Sequence, residues 1–203
     1  MQELEVIEIL QKEFYFTDQS IDKLKMFEIE LLNANKKHNF IAKSTEGSIW
    51  FRHILDSAQL VKYINFKQGS LSDLGSGAGF PGLVLAIYNQ NFNFHVKLYE
   101  KSPVKRDFLD GMIRKLKIKA VTYSNVFDGD IESEYLVSRA FKKLNKIIQV
   151  SREIAKKPHK LLILKGQNAQ EEAIKAFKSY KYSYKLEKSM TDEKSKILIA
   201  DIF

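Results

Sequence analysis

The chain has 203 residues, with 33 Lys+Arg against 25 Asp+Glu, a formal net charge of +8 and no cysteine. That length suits one domain, or one domain with a short appendage. The missing cysteine excludes disulfides, zinc–thiolate and iron–sulfur sites and a cysteine nucleophile, and it fits a reducing compartment.

No apolar run of about 18 residues occurs, so no membrane-spanning helix and no membrane partner are expected. The segment Met1–Glu8 is acidic and periodic, unlike a secretory signal, so a cytoplasmic location is expected. The positive charge suits either a polyanionic partner or a solvated, lysine-rich surface.

The first third reads as helical. Leu4, Ile7, Leu10 and Phe14 predict a helix over 3–14. Ser20 is the candidate cap of a second, with Ile21, Leu24, Phe27, Leu31 and Leu32 on its face. A third, with Thr45 as cap candidate, carries Ile49, His53, Leu55, Leu60 and Ile64. The pattern then alternates. Strands are expected at 71–74, 94–99, 121–123, 135–137 and 161–164, and helices at 83–87, 103–116, 144–156 and 169–179. Residues 180–186 and 196–203 are expected to form a closing antiparallel pair. Alternating strands and helices predict an α/β fold with a mostly parallel, doubly wound sheet. Residues 1–68 are expected to pack on a sheet domain over 69–203.

Asp73-Leu-Gly75-Ser-Gly77-Ala-Gly79-Phe-Pro81-Gly82 lies between a strand and a helix. Glycines there allow tight turns and close approach of a ligand to the backbone, and the helix start aims N–H groups at it. Gly77-x-Gly79-x-x-Gly82 matches the dinucleotide fingerprint. Gly75-x-Gly77-x-Gly79 after Asp73 fits the turn of S-adenosylmethionine (SAM) methyltransferases, in which Asp73 would face the methionine end. In either case Glu100, ending the second strand, can accept two hydrogen bonds from ribose hydroxyls. Both ligands stay open at this point; a P-loop does not, since no Gly-Lys-Ser/Thr follows.

For methyl transfer, the missing cysteine disfavours pyrimidine C5 as acceptor, and the missing Pro-Pro disfavours exocyclic adenine amines. Guanine N7 carries its own lone pair and needs no strong base. The scattered His38, His53, His95 and His159 predict no metal site.

Arg52-His53-x-x-Asp56-Ser57, the glycine segment, Ser138-Arg139-Ala140-Phe141 and Leu164-Lys165-Gly166 occur in that order. Together they strongly resemble the RsmG/GidB family of bacterial methyltransferases acting on guanine N7 of small-subunit ribosomal RNA. The resemblance implies a Rossmann-like fold with an N-terminal helical cap, SAM as cofactor, and 16S ribosomal RNA or the 30S subunit as partner of a monomer. It implies a cofactor pocket from Asp73, Gly75, Gly77, Gly79, Phe80, Glu100, Val126, Phe127 and Arg139. Arg139 and Lys165 are the candidate catalytic residues, orienting guanine and its phosphates.

The chain departs from the family pattern at Asn125 and Phe127, which replace a basic residue and a Glu, with Asp128 as the nearest substitute carboxylate. Ile41 stands where the family usually has Thr. An NAD-linked oxidoreductase and a non-catalytic RNA-binding module are the competing readings.

Among the basic clusters beginning at Lys36, Arg114, Lys142 and Lys156, the one over Lys142–Lys146 is expected to face RNA, since it follows Arg139. Phe177, Tyr180, Tyr182 and Tyr184 read as strand and core positions.

Overall fold

A computed structural model describes residues 1–127, 131–139, 142–178 and 182–203. Asp128, Ala140, Phe141 and Tyr180, which carry expectations from the sequence, lie outside the described residues.

The sheet is built from β1 (Gly69–Leu74), β2 (Phe94–Tyr99), β3 (Ala120–Tyr123), β4 (Tyr135–Arg139), β5 (His159–Lys165), β6 (Tyr184–Lys188) and β7 (Lys196–Ile202). Their spatial order is β3-β2-β1-β4-β5-β7-β6. The first five pair in parallel, and β7 inserts antiparallel between β5 and β6. The central strands are buried on both faces, as a parallel sheet sandwiched by helices must be. Chain direction across the sheet reverses between β1 and β4. The carboxyl ends of these strands therefore flank a crevice of the kind that takes ligands.

The helices are α1 (Glu3–Phe14), α2 (Asp18–Asn35), the single turn α3 (Asp56–Ala58), α4 (Gly82–Tyr88), α5 (Pro103–Leu116), α6 (Leu144–Ile154) and α7 (Ala169–Phe177). One core cluster joins Leu10, Phe14, Leu24 and Phe27 of α1 and α2 to Leu71, Leu83, Val96 and Leu162 of the sheet domain. A second lies under α6 and α7 on the other face, built on Leu136, Leu161, Ile163 and Leu198. Phe177 stacks on Tyr184 at 4.3 Å, so these aromatics are packing residues.

Three expectations need correction. The buried face of α1 is Val6, Leu10 and Phe14, while Leu4 is exposed. Spacing by four runs straight up the helix from Val6, and Leu4 falls off that line. The cap of α2 is Thr17, whose hydroxyl accepts the Ser20 N–H. Ser20 is instead buried inside the helix, donating to the Ile87 carbonyl of α4.

The third helix is not uniform. It runs as 3-10 helix (Lys43–Ser48), π-helix (Trp50–Leu55), α3 and 3-10 helix (Gln59–Tyr63). Its buried residues Ile49, Trp50, Ile54, Leu55, Ala58 and Leu60 do not share one 3.6-residue stripe. Changes of pitch bury them where a regular helix would not, and π-turns of this kind accompany functional sites.

Candidate active site

The loop from β1 to α4 turns through left-handed backbone at Gly75 (φ 77°), Gly77 (φ 57°) and Gly79 (φ 105°), which side chains rarely adopt. Gly75 and Ser76 N–H both donate to the Tyr99 carbonyl, which ties the loop to the end of β2. Gly77 N–H donates to Glu100 Oε2 (2.9 Å), and Ser102 N–H to Oε1 (2.8 Å). Each Glu100 oxygen thus keeps lone-pair capacity for a further donor. Gly82 is required for another reason. A Cβ there would sit 2.5 Å from Asp73 Oδ2 and collide with Leu98.

Gly75, Gly77, Phe80, Glu100, Val126, Phe127 and Arg139 line one cavity of about 920 Å³ at the carboxyl ends of β1 and β2. Asp73 and Gly79, expected in the same lining, do not reach it. Asp73 is wholly buried behind the loop, where Oδ2 accepts the Gly82 N–H and Oδ1 has no hydrogen-bond partner among the described residues. Burial pushes its pKa up to about 7, against the lowering effects of the Gly82 N–H, Ser76 and Arg139. A Cβ on Gly79 would meet Leu83 and Leu109, so that glycine serves the packing of α4 and α5.

Arg139 is the junction of the site. Its guanidinium lies 4.9 Å from the centre of the Phe80 ring. Nη1 donates to the Arg52 carbonyl (3.2 Å) and lies 3.5 Å from Asp56 Oδ2. Burial lowers the Arg139 pKa, and Asp56 opposes that shift. His53 stacks on the same Phe80 at 5.0 Å, with Nε2 3.0 Å from Thr45 Oγ1. Burial, helped by Arg139 and Arg52, lowers its pKa to about 3, so the imidazole is neutral. Arg52, His53 and Asp56 are therefore the frame that holds Arg139 and Phe80 in place. Spacing alone could not reveal this, because the partners come from β4.

Lys165 stands apart from the main cavity. With Asp56, Arg139, Gly166 and Lys196 it lines a pocket of about 200 Å³ that shares Arg139 with the main cavity. Its ammonium is 2.8 Å from Glu172 Oε2, which also accepts the Leu144 N–H at the start of α6. Burial would raise the Glu172 pKa, but the Lys165 and Leu144 hydrogen bonds hold it below the usual value.

The cavity also takes in Phe40, Ile41, Tyr99, Lys101, Lys105, Asn125 and Lys142. Of these, Phe40, Tyr99, Lys101 and Lys105 escaped the sequence reading. The turn carrying Phe40 and Ile41 is shaped by buried Asn35, whose Oδ1 accepts both their N–H groups. An Asn followed by a polar turn was the available signal. Ile41 itself is a lining residue of this cavity.

Among the basic clusters, Lys115, Lys157 and Lys160 pair with Glu30, Glu134 and Asp201. Lys36, Lys37 and His38 line a groove that adjoins the cavity at Phe40.

A family model described as "rRNA small subunit methyltransferase G" matches residues 20–199. The ribosomal RNA small subunit methyltransferases G of Rickettsia felis and Rickettsia akari are each 37% identical over 180 residues. The match takes in 88% of this chain and 91% and 92% of theirs. Among solved structures, a SAM-dependent methyltransferase from Aquifex aeolicus superposes with a TM-score of 0.61 at 14% identity, covering 85% of this chain and 98% of that one. M. jannaschii TYW2, solved with AdoMet, superposes with a TM-score of 0.53 at 14% identity, covering 73% and 74%. The structural likeness establishes the Rossmann-like methyltransferase fold, and the family match together with the sequence identity shows that the chain belongs to the rRNA small subunit methyltransferase G family.

Proposed function

We propose that the protein transfers a methyl group from SAM to guanine N7 of 16S ribosomal RNA, alone or within the 30S subunit, working as a cytoplasmic monomer. The observation that carries this reading is the convergence of Gly75, Gly77, Glu100, Val126 and Arg139 on one cavity at the strand reversal.

The lining fits the cofactor. Glu100 retains acceptor capacity for a ribose diol, Val126 and Tyr99 offer apolar walls for adenine, and exposed Phe127 stands at the mouth. When bound, SAM supplies a methyl group on a positively charged sulfur. The protein's part is positioning, which can account for much of a barrier reduction. Arg139 is suited to hold the guanine through O6 or a neighbouring phosphate, leaving the N7 lone pair free. Lys165 has two further donors beyond its bond to Glu172 and can reach a phosphate. Asp73 and Gly79 support the loop from behind. Asp56, paired with Arg139, offsets its charge beside a product base that becomes cationic, and neutral His53 adds no further positive charge there.

Calorimetry with S-adenosylhomocysteine and with NADH tests the cofactor assignment. Binding is expected for the first alone and should be lost in Gly77→Asp, which puts a charged side chain on left-handed backbone (φ 57°) in the wall of the cavity. Binding of NADH alone would overturn the assignment.

A further inference from the structure

The turn between β6 and β7 docks on the segment that frames Arg139, and it does so through polar contacts. Gln59 Nε2 donates to Ser189 Oγ (3.2 Å), and Met190 N–H donates to Gln59 Oε1 (2.6 Å). Thr191 Oγ1 donates to Asp56 Oδ1 (2.9 Å), across 135 residues of sequence. Arg52 lies 3.8 Å from Asp192.

The turn is braced internally. Ser189 Oγ accepts the Thr191 N–H, Ser189 N–H donates to the Ser195 carbonyl, and Asp192 Oδ1 accepts the Lys194 N–H. Asp56 is therefore held at both oxygens. Oδ1 faces Thr191 and Gln59, and Oδ2 faces Arg139. A largely buried carboxylate engaged on both sides has one orientation, and it imposes one on the guanidinium opposite.

We propose that Thr191 is a positioning residue: through Asp56, the β6–β7 turn fixes the guanidinium of Arg139 between the cofactor cavity and the smaller pocket beside Lys165. This rests on the reading of Arg139 as the group that orients the methyl acceptor. It assigns a task to the C-terminal hairpin, whose residues carry none of the motifs that mark the site.

The test compares the full-length wild type with Thr191→Val, which loses the donor to Asp56 together with the 2.9 Å hydrogen bond between Thr191 Oγ1 and Ser189 Oγ, and Thr191→Ser, which keeps a hydroxyl for both. Methyl transfer is measured on undermethylated 30S subunits. The Arg139 Nε–H signal is followed by NMR of arginine-labelled protein and assigned by its loss in Arg139→Lys.

Thr191→Val is expected to lower kcat roughly tenfold, the effect of one charge-assisted hydrogen bond, while KM for SAM stays within about twofold. Its Arg139 Nε–H should exchange faster with solvent than in wild type, and Thr191→Ser should restore both properties. Wild-type kcat and exchange in Thr191→Val would overturn the proposal. So would equal losses in Thr191→Ser, which would reduce the turn to a structural role. If the wild type transfers no methyl group, the functional reading fails, and the exchange rates still decide the clamp.

Discussion

Asp73 and Glu100 end neighbouring strands, yet their surroundings set them to different work. Glu100 opens on the cavity with both oxygens partly engaged by backbone N–H groups. Asp73 is sealed behind the glycine loop with one oxygen unpartnered among the described residues. Burial holds its pKa at about 7 in the folded chain, against 3.8 for an ordinary aspartate carboxyl. The folded state therefore binds the proton more tightly than the unfolded state. The resulting stabilisation is complete below about pH 4 and is lost as pH rises through about 7. Asp73→Asn removes the titration and keeps an acceptor for Gly82. In urea melts from pH 4 to 8, its stability should improve relative to wild type as pH rises. A difference independent of pH would contradict this account of Asp73. The sequence placed an acid at this strand end correctly, but its burial depends on α4 closing over it, which no local pattern encodes.

At the scale of elements, the segment from β1 to α4 was legible because its chemistry is local. A strand, a run of glycines and an apolar helix specify the turn with no distant partner. Gly82 is the tightest point of that segment. Gly82→Ala would drive a methyl group into Asp73 and Leu98, and is expected to cost about 1–3 kcal/mol in urea melts, as overpacking generally does. Unchanged stability would mean that α4 can move away from β1 freely.

The run from Lys43 to Tyr63 was the least legible element. Its pitch changes serve contacts to Arg139 and to the β6–β7 turn, both far along the chain. The apolar spacing marks a helical segment, but only Asp56–Ala58 is regular α-helix, and the changes of pitch that place His53 and Asp56 leave no trace in that spacing. Lys165 was likewise put at the right strand end, but its pairing with Glu172 required knowing how α7 packs.

For the whole molecule, the +8 charge is unevenly committed. Several lysines are paired with acids on helices and strands away from the cavity. Lys101, Lys105 and Lys142 line the cavity, and Lys36 and Lys37 border the adjoining groove. This distribution suits a phosphate backbone crossing the face that carries the cavity. Binding to ribosomal RNA should weaken steeply with salt, and the double substitution Lys36→Gln, Lys37→Gln should reduce the log–log salt slope by about 2. An unaltered slope would place the RNA elsewhere. The sheet order and the shared core of α1, α2 and the central strands make the helical cap part of the site, since it supplies Phe40, Ile41 and the frame of Arg139.

Methyl transfer to guanine N7 in small-subunit ribosomal RNA is open to direct assay. Its most direct test incubates the purified protein with methyl-labelled SAM and undermethylated 30S subunits, then maps label in the RNA by borohydride and aniline cleavage, which cuts at N7-methylguanine. Label is expected in 16S RNA with cleavage at guanine, abolished by Gly77→Asp. RNA that remains unlabelled, or label on an atom that leaves the chain resistant to cleavage, would contradict it.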